Sequence, residues 1–114
     1  MATPLVTRAQ SYGGYVDYTP GSAKSAGDVV PQNQLIGIAT KDIAANKKGA
    51  LAVEGVFDFP KATGSGDAIA AGIKCYWNAG AEVATATADS NVYIGKSVQA
   101  AAATAATVRI KLDQ

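Results

Sequence analysis

Histidine is absent from this 114-residue chain, and cysteine occurs once, at Cys75. Without an imidazole, Ser-His-Asp and Cys-His nucleophilic arrangements are excluded, as are histidine-based metal sites. A single cysteine excludes an intramolecular disulfide. Cys75 lies in the run Ile73-Lys74-Cys75-Tyr76-Trp77, where it reads as a small buried hydrophobe. A reactive thiol needs a nearby imidazole or helix N-terminus to favour its thiolate. Aromatic residues are also scarce, at 7%, and much of the 48% apolar share is alanine. Alanine buries little area, so the expected core is thin and supplemented by a partner or by self-association. No apolar run approaches the ~20 residues that span a bilayer. The N-terminus shows no basic stretch followed by an apolar core, as a secretory signal would. The expectation is a soluble protein made in a cytoplasm, with no membrane partner. Neither sign of charge dominates: 10 basic and 9 acidic residues leave +1. The global field therefore offers nothing to hold nucleic acid. The nearest basic cluster, Lys47-Lys48 beside Lys41, reads as a solvated turn.

What is present is a series of short β-forming segments separated by turn residues, in a length that suits one domain. Residues 1–14 are polar, contain Pro4 and end in Gly13-Gly14; they read as an N-terminal arm preceding a single β domain over 15–114. Strands are expected at Tyr15 to Thr19, Val29-Val30, Leu35 to Thr40, Ala50 to Phe59, Ile73 to Asn78, Glu82 to Thr87, Val92 to Val98 and Thr107 to Asp113. The last is the clearest, with Val108, Ile110 and Leu112 facing in and Arg109, Lys111 and Asp113 facing out. Ala50 to Phe59 is the longest, and Gly55 within it suggests a bulge or bend. Ala68 to Ala71 reads as one helical turn. Gln99 to Ala106 has high helix propensity but no apolar stripe, and reads as a connection with at most another turn.

A faint internal repeat runs through these segments. Leu35-Ile36-Gly37, Ala44-Ala45, then Leu51 and Val53 are echoed by Tyr93-Ile94-Gly95, Ala102-Ala103, then Val108 and Ile110. Each copy follows a short apolar strand opened by Ala-Gly, at Ala26-Gly27 and Ala71-Gly72. Two similar β-units imply an all-β fold, a small sandwich or barrel with at most one or two short helical turns.

No segment carries a catalytic signature. Glu54 and Asp58 share a strand parity, but ~13 Å separates them along an extended strand, beyond the ~5–9.5 Å of a glycosidase pair. Ala62 to Asp67 (ATGSGD) has the glycines of a phosphate loop but lacks its Lys and Ser or Thr, and Asp67 would repel a phosphate. Tyr12, Tyr15 and Tyr18 recur every third residue. A nucleic-acid stacking platform would interleave basic residues, and only Arg8 is near. Tyrosine is common at protein interfaces, so an interface or core role fits better. Tyr76 and Trp77 point to opposite faces of a strand, one closing the core and the other able to anchor a contact. The expectation is a non-enzymatic binding module with no cofactor and no metal.

The ordered set Tyr15 to Pro20 (YVDYTP), Ala26 to Val30 (AGDVV), Leu35 to Ala39 (LIGIA), Asp42 to Ala45 (DIAA), Gly49 to Val53 (GALAV), Glu54 to Gly64 (EGVFDFPKATG), Asp67 to Gly72 (DAIAAG), Tyr76 to Asn78 (YWN), Tyr93 to Gly95 (YIG) and Thr107 to Leu112 (TVRIKL) resembles a phage-encoded family of small capsid decoration, or cement, proteins. The resemblance covers about residues 12–112. A RecA-like label often attached to that family finds no support here, since the phosphate loop is missing. Ile73 and Cys75 depart from the family's usual Asp and β-branched residue, which touches local loop shape and choice of capsid partner. The resemblance implies a β-rich module on the outer surface of the virion capsid, bound to the major capsid protein and self-associated, as a trimer or otherwise a dimer. Contact residues expected from these readings are Leu5, Val6, Arg8, Tyr12, Tyr15, Tyr18 and Trp77. A tail or head-fibre component is the structural alternative. A small ligand-binding β-barrel or enzyme is the alternative of another class, and it lacks a convergent ionisable set.

Overall fold

Period-two patterning becomes strand throughout the chain. The computed structural model describes residues 14–114, which form nine strands in two antiparallel sheets and no helix. The strands are β1 (Tyr15–Tyr18), β2 (Val29–Gln32), β3 (Leu35–Ala39), β4 (Gly49–Ala52), β5 (Gly55–Pro60), β6 (Lys74–Asn78), β7 (Val83–Thr85), β8 (Val92–Ser97) and β9 (Thr107–Leu112). The first sheet has the order β1-β4-β3-β2 and the second β5-β9-β8-β6-β7. The architecture is a small β-sandwich, as the patterning implies. The second sheet curls until Lys61, just past β5, bridges Ala84 of β7 in parallel.

The long strand expected over Ala50 to Phe59 is two strands in different sheets. β4 ends at Ala52, and β5 starts at Gly55 with φ 117°. A side chain is strained at that angle, so glycine allows the corner at which the chain leaves one sheet for the other. The single helical turn expected at Ala68 to Ala71 is absent. Ile69 instead exchanges two backbone hydrogen bonds with Ala101, at 2.9 and 2.7 Å, and its side chain is buried. Burying Ile69 outweighs the helix propensity of a run too short to nucleate. The strand expected at Val29-Val30 runs two residues further: Pro31 and Gln32 belong to β2, and Asn33 turns with φ 55°. Pro31 is tolerated because β2 lies on the edge of its sheet, where a missing N–H breaks no ladder bond on the open side.

The internal repeat is a duplication of topology. β1-β4-β3-β2 and β5-β9-β8-β6 follow one plan, with β7 added outside β6. Gly14 and Gly55, both with positive φ, precede or open β1 and β5. Gly27 and Gly72 donate to the last residues of β3 and β8, Ala39 at 2.6 Å and Ser97 at 2.7 Å. The bridge Lys24–Ile43 in one half matches Ile69–Ala101 in the other. Leu51 lies opposite Ala39 as Ile110 lies opposite Ser97, so Leu51 corresponds to Ile110, one alternation later than the sequence repeat suggests.

One apolar cluster joins the sheets: Ile36, Ile38 and Ala52 from the first meet Phe59, Cys75, Trp77, Ile94, Val108, Ile110 and Leu112 from the second. A smaller cluster of Val30, Ala39, Ile43 and Leu51, edged by Val16 and Tyr18, fills the other face of the first sheet. The two sheets are also clipped by Gln114. Its side-chain amide accepts from Ile36 N–H at 2.6 Å and donates to Ile36 C=O at 2.7 Å. The β3–β4 ladder covers only Ile38 and Ala39, so Gln114 completes hydrogen bonding that β4 leaves unmade.

Candidate functional site

The alternation of β6, β8 and β9 turns one set of side chains into the core and the other outward. Inward lie Cys75, Trp77, Ser97, Val108, Ile110 and Leu112, all buried. Cys75 donates to Ile73 C=O at 3.4 Å. Burial pushes its thiol up, and a backbone hydrogen bond from Ser97 offsets this only in part. Ser97 Oγ donates to Ala70 C=O at 2.6 Å and accepts from Ile73 N–H at 3.0 Å, so its burial leaves no polar atom unpaired. Lys61 is also buried. Its ammonium donates to the carbonyls of Ala62, Ala103 and Ala105 at 2.7, 3.1 and 3.5 Å. These bonds pin the 99–106 connection to the end of β5, a structural role that spacing along the sequence does not reveal.

The outward face is different in kind. Directly opposed residues in an antiparallel ladder share a face, so the register Val56–Lys111–Lys96–Lys74 draws one row across β5, β9, β8 and β6. All four are exposed. The neighbouring row carries Asp58 opposite Arg109, paired at 2.9 Å and 3.3 Å. That direct hydrogen bond holds the Asp58 carboxyl below the usual range. Lys96 meets Asp113 at 3.7 Å. Further along the same face Tyr76 and Tyr93 oppose one another, their rings edge-to-face with centroids 5.6 Å apart. Between Cys75 and Tyr76 the register slips, two residues of β8 matching one of β6. This bulge leaves both tyrosines outward while Ile94 is buried. Burial pushes the Tyr93 hydroxyl up, helped by the nearby Asp113.

Of the contact residues expected from sequence, Leu5, Val6, Arg8 and Tyr12 lie outside the described residues. Tyr15, 43% exposed, and the half-buried Tyr18 sit on opposite faces of edge strand β1. Tyr18 packs on the smaller cluster. Trp77 is 5% exposed and packs edge-to-face on Phe59 at 6.2 Å, offering a partner almost no surface. Of the adjacent aromatic pair, Trp77 closes the core and Tyr76 faces out. These three residues do not form one surface. Sequence reasoning missed the lysine row; the outward positions of Lys111 and Arg109 were legible from the β9 alternation, but which strands lie beside β9 was not.

Among the described residues, no three His, Cys, Asp or Glu side chains converge as metal ligands would. The fold defines a small all-β module of two antiparallel sheets. The model of the phage cement proteins matches residues 10–112, and the chain belongs to the phage cement protein family, whose members are structural, capsid-associated proteins. No curated protein and no solved structure matches it.

Proposed function

We propose that this protein decorates the outer surface of the assembled, expanded phage head and stabilises it by bridging neighbouring copies of the major capsid protein. Membership of the cement family over residues 10–112 is the observation that carries this reading. The mechanism is multivalent. Each copy buries modest area, and self-association, as a trimer before a dimer, makes later contacts effectively intramolecular, which raises avidity without new chemistry. The shell gains stability because the module binds the assembled state in preference to free subunits. Residues 1–14 act as an arm that adds contacts through Leu5, Val6, Arg8 and Tyr12, with Tyr15 and Tyr18 at its root.

The test is to mix the purified protein with undecorated, expanded heads, pellet them and count copies per shell. Saturation at a fixed stoichiometry with delayed thermal rupture of the shell is expected. A folded, monodisperse protein that stays in the supernatant would overturn the reading and favour a tail component.

A further inference from the structure

We propose that the outward face of the second sheet, with Lys74, Lys96 and Lys111 in one row and Tyr76 and Tyr93 beside it, is the surface that meets the shell, and that the shell presents an acidic protein patch there. This rests on the decoration reading above and names the face and the chemistry of its partner.

Three observations converge on it. The first is that the row works against the fold. Lys96 stands directly opposite both Lys74 and Lys111, and like charges so placed repel. Of the three, only Lys96 is ion-paired with a carboxylate. Among the described residues Lys74 and Lys111 make no ion pair, and residues 1–13 contain no Asp or Glu to supply one. Charges kept where they cost stability point to a use outside the monomer.

The second observation is the duplication. The row in the first sheet that corresponds to Val56–Lys111–Lys96–Lys74 is Tyr15–Ala52–Ile38–Val29. There Ile38 and Ala52 are buried in the core that joins the sheets. The same place in the plan is therefore a packing face in one half, and in the other an open face whose charge suits a carboxylate-bearing partner. The third is composition. Tyrosine and arginine are among the side chains enriched at protein interfaces, and Tyr76, Tyr93 and Arg109 flank the lysines. Asp58 and Asp113 lie within the patch. They neutralise Arg109 and Lys96, which leaves Lys74 and Lys111 as the unpaired cations of the patch; a nucleic-acid backbone is held by many such cations, so an acidic protein patch is favoured over nucleic acid.

The test compares wild type with the triple variants Lys74→Glu/Lys96→Glu/Lys111→Glu and Lys74→Arg/Lys96→Arg/Lys111→Arg. Pelleting with expanded heads is measured from low to high sodium chloride. Wild-type binding is expected to weaken with salt. The glutamate variant should bind at least about tenfold more weakly and lose that salt dependence. The arginine variant should bind like wild type. Wild type that pellets while the glutamate variant pellets equally well overturns this inference and leaves the decoration reading standing. Wild type that fails to pellet overturns both. A glutamate variant unfolded by circular dichroism is replaced by the triple glutamine variant, read for the same outcomes. Binding of a labelled thymidine oligonucleotide by wild type, abolished in the glutamate variant while head binding is unchanged, overturns the choice of an acidic protein in favour of nucleic acid.

Discussion

Gly95 occupies a point where the second sheet has no room for a side chain. A Cβ there would lie 1.9 Å from the carbonyl oxygen of Lys111, and backbone cannot yield as a flexible side chain can. Gly95→Ala is expected to destabilise by at least about 3 kcal/mol, measured by chemical denaturation. Lys61 is the other residue whose surroundings decide its role. Lys61→Met keeps the aliphatic length but leaves the carbonyls of Ala62, Ala103 and Ala105 without their shared donor. A loss of about 2–3 kcal/mol is expected, and hydrogen exchange should rise in the 99–106 connection. Cys75 is fully buried with its thiol held neutral. A thiol-specific reagent should label it only in denaturant. Its raised value means that this contribution to stability is intact below the ordinary thiol range and is lost as pH climbs above it, because the unfolded chain ionises first.

Strands in this protein are short and depend on what lies beside them. Gln114 acts as a one-residue extension of the β3 ladder. Gln114→Ala should cost about 1–3 kcal/mol, since it leaves the N–H and C=O of Ile36 unpaired at a buried position; amide exchange at Ile36 is the direct readout. The lysine row makes the opposite kind of prediction. Lys74 has no ion pair to lose, so Lys74→Glu replaces a cross-strand repulsion with an attraction to Lys96. The variant should be more stable by about 0.2–1 kcal/mol while binding heads less well. Stability and binding moving in opposite directions would distinguish a functional charge from a merely tolerated one.

At the scale of the whole molecule, two similar halves share a single core. Ile36, Ile38 and Ala52 of one half and Trp77, Ile94 and Ile110 of the other belong to one cluster, so neither half retains its burial when the other unfolds. Thermal unfolding followed by far-ultraviolet circular dichroism, which reports both sheets, should coincide with that followed by the fluorescence of Trp77, which reports the second. An earlier transition in one probe would show that the halves are separable. Deleting residues 2–11 should weaken head binding and leave this transition in place.

The sequence alone carried the strand pattern, because alternation is local: Val108, Ile110 and Leu112 cannot all face inward in anything but a strand. It also carried the repeat and the family, which reside in the order of short pieces such as Leu35 to Ala39 and Tyr93 to Gly95. Tertiary structure decided what alternation cannot. Leu51 and Phe59 keep one parity whether the chain runs straight or turns at Gly55, so the change of sheet was invisible. Ile69 and Ala101 are far apart in the chain, and only their pairing displaced the helical turn. The candidate surface was hidden for the same reason: Lys74, Lys96 and Lys111 lie on three strands and become neighbours only when the ladder sets its register.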